Sequence, residues 1–153
     1  MLHVIKTKQF INSDINTVWD FMSSPSNLKV ITPEYMNFTI IDENAKSEKM
    51  FQGQIIEYTV SPVLGIALNW VTEITHVEDK NYFVDEQRFG PYSFWHHKHF
   101  IKQVTGGVEM IDIVHYKLPF GFIGKLLNGL FVKKQLKKIF DYRHKKIEEL
   151  FNK

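Results

Sequence analysis

The sequence predicts an α+β fold in which a curved, seven-stranded antiparallel sheet closes on one long C-terminal helix. Three observations predict it. From Met36 to Lys117 the chain reads as strand after strand, each bounded by turn residues. The connections are short, which makes consecutive strands antiparallel neighbours. The last segment carries apolar residues at three-and-four spacing, the mark of an amphipathic helix. At 153 residues the chain has the length of one ordinary domain, and residues 1–153 are expected to form a single one.

Taken in order, Leu2 to Ile11 is the first strand. Ser13 and Asp14 offer an N-cap for a short helix from Ile15 to Met22, with Val18, Trp19 and Met22 on one face. Ser23-Ser24-Pro25 ends that helix, and Pro25 opens a second short one through Ile31, before Thr32-Pro33. Six strands follow: Met36–Ile41, Met50–Val60, Ala67–Val77, Asn81–Phe89, Ser93–Val104 and Val108–Lys117. Pro119 and Gly121 close the sheet and admit a helix from about Phe122 to Phe151, with Val132, Leu136, Ile139, Ile147 and Leu150 along its apolar stripe. Such a helix is about 45 Å long and can lie across the whole sheet. A twisted sheet wrapped on one helix leaves space that side chains alone do not fill.

Composition narrows the chemistry. Cysteine is absent, which removes disulfides, thiolate metal sites and cysteine nucleophiles. No apolar run reaches the length of a membrane span and the N-terminal stretch lacks a signal-peptide core, so a soluble, cytoplasmic domain is expected. Aromatic residues reach 14%, enough ring surface to pack a core or line a cavity for an apolar guest. From Phe122 onward nine Lys or Arg stand against three acidic residues. The lysines at 133, 134, 137, 138, 145 and 146 flank the apolar stripe; a solvated helix face is the simplest reading and docking on anionic membrane the alternative. The helix aromatics form no stacking platform, so no nucleic-acid partner is expected. Ser23, Ser24 and Ser61 lie away from the histidines, and Gly121-Phe-Ile-Gly124 lacks the lysine and hydroxyl of a phosphate loop.

Alternation sorts the two central strands by face. Even positions from Tyr82 to Arg88 and from Phe94 to Lys102 hold Glu86, Arg88, Lys98 and Lys102, which belong in water. The odd set, Phe83, Asp85, Gln87, Phe89, Trp95, His97, His99 and Ile101, therefore faces inward. A two-residue mirror-image turn at Gly106-Gly107 would set His99 opposite Val114, His97 opposite Tyr116, Trp95 opposite Leu118 and Ile101 opposite Asp112. The neighbouring hairpins place Asp85 opposite His97, Ile74 near Asp85 and Trp70 near Phe89. The expected inner wall is aromatic (Tyr58, Trp70, Trp95, Tyr116) with a polar cluster of Asp85, Gln87, His97, His99 and Asp112. Arg143 falls on the helix stripe, and a core-facing arginine normally requires a carboxylate, here Asp85 or Asp112.

Element order and several segments resemble one superfamily. Trp70-Val-Thr-Glu-Ile, Phe83-Val-Asp-Glu-Gln, Gly90-Pro91, Trp95-His-His-Lys-His-Phe, Asp112, Tyr116-Lys-Leu-Pro-Phe-Gly and Ile139-Phe-Asp-Tyr-Arg look like the polyketide cyclase-like bacterial branch of the START-like, or SRPBCC, superfamily, which includes the birch-pollen-allergen type. The resemblance implies the helix-grip fold and a cavity between sheet and helix for an apolar small molecule such as a lipid, quinone or polyketide. It implies neither a metal nor another cofactor. The expected ligand-binding residues are Tyr58, Trp70, Asp85, Gln87, Trp95, His97, His99, Asp112, Tyr116 and Arg143. The alternatives are membrane-docking lipid transfer and a cyclase- or dehydratase-like enzyme. In that enzyme His97 or His99 would be the acid or base, Asp85 its orienter, and Tyr116 or Arg143 the stabiliser of an enolate-like oxygen.

Overall fold

Chain reversal after each strand builds a sheet whose first and last strands meet. The computed structural model describes residues 1–42, 45, 49–61, 65–119, 121 and 131–151. Among them run β1 (His3–Ile11), α1 (Ile15–Met22), two 3-10 turns (Pro25–Lys29 and Glu34–Met36), β2 (Thr39–Ile40), β3 (Ile55–Val60), β4 (Leu68–Glu78), β5 (Tyr82–Phe89), β6 (Phe94–Val104), β7 (Gly107–Lys117) and α2 (Lys133–Phe151). The seven strands form one antiparallel sheet in the order β1-β7-β6-β5-β4-β3-β2. Asp14 caps α1 as its position predicts, its carboxylate accepting from the amides of Asn16 at 2.9 Å and Thr17 at 3.0 Å.

Two strands are shorter than the sequence predicts. The strand expected from Met36 is a 3-10 turn ended by Asn37 in the left-handed conformation, and only Thr39 and Ile40 pair with β3. The strand expected from Met50 begins at Ile55, because Gly53 at φ +88° turns the chain first; the Gly53 amide bonds Ile74 O and the Ile74 amide bonds Gln54 O. The helix is described from Lys133, and residues 122–130 of its expected span lie outside the described residues. Its described span of 19 residues is ~28 Å long. It buries Leu136, Phe140, Arg143 and Ile147, while Leu150 of the expected stripe is exposed.

The β6–β7 register differs from expectation by two residues. Val104 pairs with Gly107, so the chain reverses over Thr105-Gly106, and His99 faces Asp112, His97 faces Val114, Trp95 faces Tyr116 and Ile101 faces Met110. The reason is tertiary. A Cβ on Gly107 would stand 2.3 Å from Ile11 O, so this glycine is taken up by the close approach of β1 and stays in the ladder. Gly106 alone carries the positive φ, +82°, which is not the mirror-image turn. A shift of two preserves which face each side chain occupies. Asp85 does pair with His97 and Ile74 with Asp85, but bulges in β4 set Phe89 against Val71 rather than Trp70 and leave its ring exposed, off the expected inner face.

Two apolar clusters flank the space between sheet and helix. One joins α1 to the sheet through Val18, Trp19, Met22, Phe83, Ile101, Val108 and Ile147. The other gathers Met36, Phe38, Ile40, Tyr58, Val60, Trp70 and Ile74 at the β2–β4 side. The Gln9 side-chain amide donates to His144 O at 2.8 Å and ties β1 to α2.

Candidate functional site

Between the clusters lies a cavity of about 160 Å³. Its rings come from Phe21, Phe38, Tyr58, Trp70, Phe83, Tyr92, Trp95 and Phe140, and its polar wall from Thr72, Asp85, His97, His99 and Arg143. Tyr58 stacks on Trp70 at 5.9 Å between centroids, and Trp95 meets Trp70 edge-on at 5.3 Å. The Tyr58 hydroxyl shares a hydrogen bond of 3.0 Å with Thr72, and burial pushes its pKa up, as it does that of Tyr92.

The polar wall is a box of two imidazoles and two carboxylates. The rings of His97 and His99, two residues apart on β6, lie 3.7 Å apart. Asp85 comes from β5 and Asp112 from β7, one on each side. His97 Nε2 bonds Asp112 Oδ1 at 3.1 Å, and His99 Nε2 bonds Asp85 Oδ2 at 2.7 Å. The other two nitrogens make ion-pair contacts rather than hydrogen bonds: His99 Nδ1 is 2.8 Å from Asp112 Oδ1, and His97 Nδ1 is 3.4 Å from Asp85 Oδ2. The register found for β6 and β7 makes this possible, because it sets His99 directly opposite Asp112.

Four nitrogen–oxygen contacts among two imidazoles would be satisfied by four N–H groups, which requires two imidazoliums side by side. Burial opposes that, and the two rings respond differently. Burial drives the His97 pKa down, the neighbouring His99 adds to this, and together they outweigh both carboxylates to hold it at about 4. Burial also disfavours charge on His99, but its contacts with Asp112 and Asp85 outweigh that and raise its pKa. Burial pushes both aspartates up, yet the histidines reverse the effect: Asp85 is lowered with help from Arg143, and Asp112 is held well below the usual carboxylate range. The two rings are thus pushed in opposite directions, His99 towards the imidazolium and His97 towards the neutral form.

Asp85, His97 and His99 also bring one potential metal-ligand atom each within 4.8 Å of one another. Ligands around a tetrahedral zinc stand about 3.3 Å apart. The 2.7 Å between His99 Nε2 and Asp85 Oδ2 is instead the spacing of two atoms sharing a proton.

Arg143 stands at the helix side of the cavity and is 9% exposed. It makes no ion pair with Asp85 or Asp112, contrary to expectation, because the histidines already occupy both carboxylates. Its Nε and Nη1 have no hydrogen-bond partner, and its guanidinium carbon lies 5.2 Å from the centre of the Phe140 ring.

Of the ten expected wall residues, Tyr58, Trp70, Asp85, Trp95, His97, His99 and Arg143 line the cavity. Gln87 does not: its side chain clamps the following loop, donating to Tyr92 O at 2.6 Å and accepting from the Tyr92 amide at 3.1 Å. Tyr116 is 1% exposed and packs behind the wall against Trp95, Tyr92 and His3. Asp112 reaches the box from behind and borders a small separate space with Arg143 and Gln9. Tyr92, missed by alternation because it lies in a loop, is brought into the wall by Gln87. No described helix is long and apolar enough to cross a membrane, and three of the basic-helix lysines, Lys137, Lys145 and Lys146, pair with acidic neighbours one turn away.

No family model matches the sequence, and no curated protein matches it. Solved structures do. Protein CV1439 from Chromobacterium violaceum superposes with a TM-score of 0.74 at 10% identity, covering 99% of both chains. A START superfamily protein from Mycobacterium smegmatis gives 0.65 at 10% identity over 97% of this chain and 99% of that one. Ara h 8.0201 gives 0.62 at 11% identity over 97% and 99%. The chain has the helix-grip fold of the START-like superfamily. At these identities the likeness is one of architecture, and the activity has to be argued from the cavity.

Proposed function

We propose that this protein binds an apolar small molecule in the cavity between the sheet and α2. The observation that carries the reading is the cavity itself, walled by eight Phe, Tyr and Trp rings and bordered at one place by a polar cluster. Pockets of this make-up take ligands with a hydrophobic body and one polar group to orient it. The size narrows the guest. A dry cavity of about 150 Å³ holds one benzene, so about 160 Å³ suits a single-ring molecule or the end of a longer one such as a lipid, quinone or polyketide. Tryptophan fluorescence titrated with a library of apolar compounds, alongside native mass spectrometry of freshly purified protein, tests it. Saturable quenching or a co-purified mass is expected. The absence of both overturns the reading.

A second reading, a cyclase- or dehydratase-like enzyme, is supported by one detail. His97 lines the cavity and its lowered pKa favours the neutral imidazole, the form a general base needs. Its distinguishing result is turnover that falls ~10²-fold or more in His97→Ala while affinity is kept. A carrier would lose affinity alone.

A further inference from the structure

We infer that the guest is a small aromatic carboxylic acid, held with its ring among Tyr58, Trp70, Tyr92 and Trp95 and its carboxylate on Arg143. The inference rests on the cavity reading above and names the ligand class for it. Four facts support it together.

Arg143 is the first. It comes from the stripe of α2 that faces the sheet, between the buried Phe140 and Ile147, and is itself more than nine-tenths buried. A guanidinium in such a place costs stability unless its N–H groups are paired, yet Nε and Nη1 have no partner. The second is the state of the other charges. The aspartates are engaged by histidines at 2.7 to 3.4 Å, so among the described residues lining the cavity Arg143 is the charged side chain with no ion pair and two unpartnered nitrogens. Guanidinium matches carboxylate geometry by a two-point contact, which a single carbonyl or hydroxyl cannot reproduce.

The third is a second orphan donor. Trp70 lines the same cavity, and its buried indole Nε1 has no hydrogen-bond partner either. The unpartnered groups on the wall thus include donors from two elements, which a guest rich in acceptor oxygens would satisfy. The fourth is size and shape. About 160 Å³ excludes a long acyl chain from full enclosure but accepts one ring, and the walls are rings at 4.8 to 5.9 Å from one another. Asp85 also borders the cavity, but His99 engages one of its oxygens, whereas two guanidinium nitrogens of Arg143 have no hydrogen-bond partner.

The experiment compares benzoate, its neutral isostere benzamide, and toluene by calorimetry at pH 8, in the wild type and in Arg143→Gln. Benzoate is expected to bind at least ~10-fold more tightly than benzamide, the factor a charge-assisted pair adds over a neutral contact. In Arg143→Gln that preference is expected to vanish while toluene binding persists, which also shows the variant folded. Arg143→Lys, keeping charge without the fork, should retain part of the preference. Equal binding of benzoate and benzamide to the wild type, with toluene binding, overturns the acid inference and leaves the cavity reading standing. A benzoate preference that survives Arg143→Gln overturns it as well. Failure of all three to bind the wild type defeats both.

Discussion

His99 Nε2 donates to Asp85 Oδ2 at 2.7 Å, and with the contact to Asp112 this bond outweighs burial and raises the His99 pKa. His97, whose ring lies 3.7 Å away, keeps a longer contact of 3.4 Å to the same oxygen, and burial with its charged neighbour lowers its pKa. Two like residues on one strand thereby have pKa values shifted in opposite directions, His97 by burial and its charged neighbour, His99 by the carboxylates on the strands either side.

The first prediction is a split titration. Side-chain NMR should find the His99 imidazole titrating above the ordinary value of about 6.5 and the His97 imidazole at about 4. The consequences for stability have opposite signs. His97, depressed in the fold, stabilises above about pH 6.5 and loses that contribution as pH falls through about 4. His99, raised in the fold, stabilises below about pH 6.5 and loses its contribution as pH rises through its folded pKa. Both rings titrating together near 6.5 would contradict the assignment.

Removing one wall of the box leaves a buried imidazolium short of a partner. Asp112→Asn should cost roughly 3–5 kcal/mol, as breaking one side of a buried ion pair does, and should lower the His99 pKa. Chemical denaturation measures the first and NMR the second. A loss under ~1 kcal/mol with His99 unmoved would show that the pair is not charged.

Gly107 and Gly106 should respond differently to alanine. At Gly107 the new Cβ meets backbone, Ile11 O at 2.3 Å, so β1 has to move and the cost should be roughly 2–4 kcal/mol. At Gly106 there is open space, and only the positive φ is strained, for about 1 kcal/mol. Denaturant midpoints of the two variants check the order; the reverse order would refute the register.

That register marks the boundary of what sequence could tell. Alternation was enough to put Asp85, His97 and His99 on one face, because side-chain period does not depend on the turn. The turn itself was ambiguous between Thr105-Gly106 and Gly106-Gly107, since the demand on Gly107 comes from Ile11, nearly a hundred residues away. The same distance hid the arginine's situation: Arg143 was legible as a core-facing charge, but the histidines' prior claim on both aspartates depends on how three strands align. Gln87 and Tyr92 were out of reach because their bond closes a loop, where no periodicity applies.

Ligand exchange should depend on Tyr35. Its hydroxyl accepts from Gln135 Nε2 at 3.0 Å, joining the 3-10 turn after Pro33 to α2, and Gln135 lines the cavity. Tyr35→Phe removes this exposed tie, so a bound aromatic probe should dissociate several-fold faster while the melting temperature hardly changes. An unchanged dissociation rate in stopped flow would place the entrance elsewhere.

The central claim, that the cavity is the binding site, can be read from the three tryptophans. Trp70 and Trp95 line the cavity, whereas Trp19 packs in the α1 cluster, edge-on to Phe83 at 6.1 Å. The measurement is a nitrogen–proton NMR titration of the indole resonances with a saturating single-ring aromatic compound. The account predicts that the Trp70 and Trp95 signals shift together along one saturation curve while Trp19 stays in place. Three unmoved signals, or a Trp19 shift as large as the other two, would contradict it.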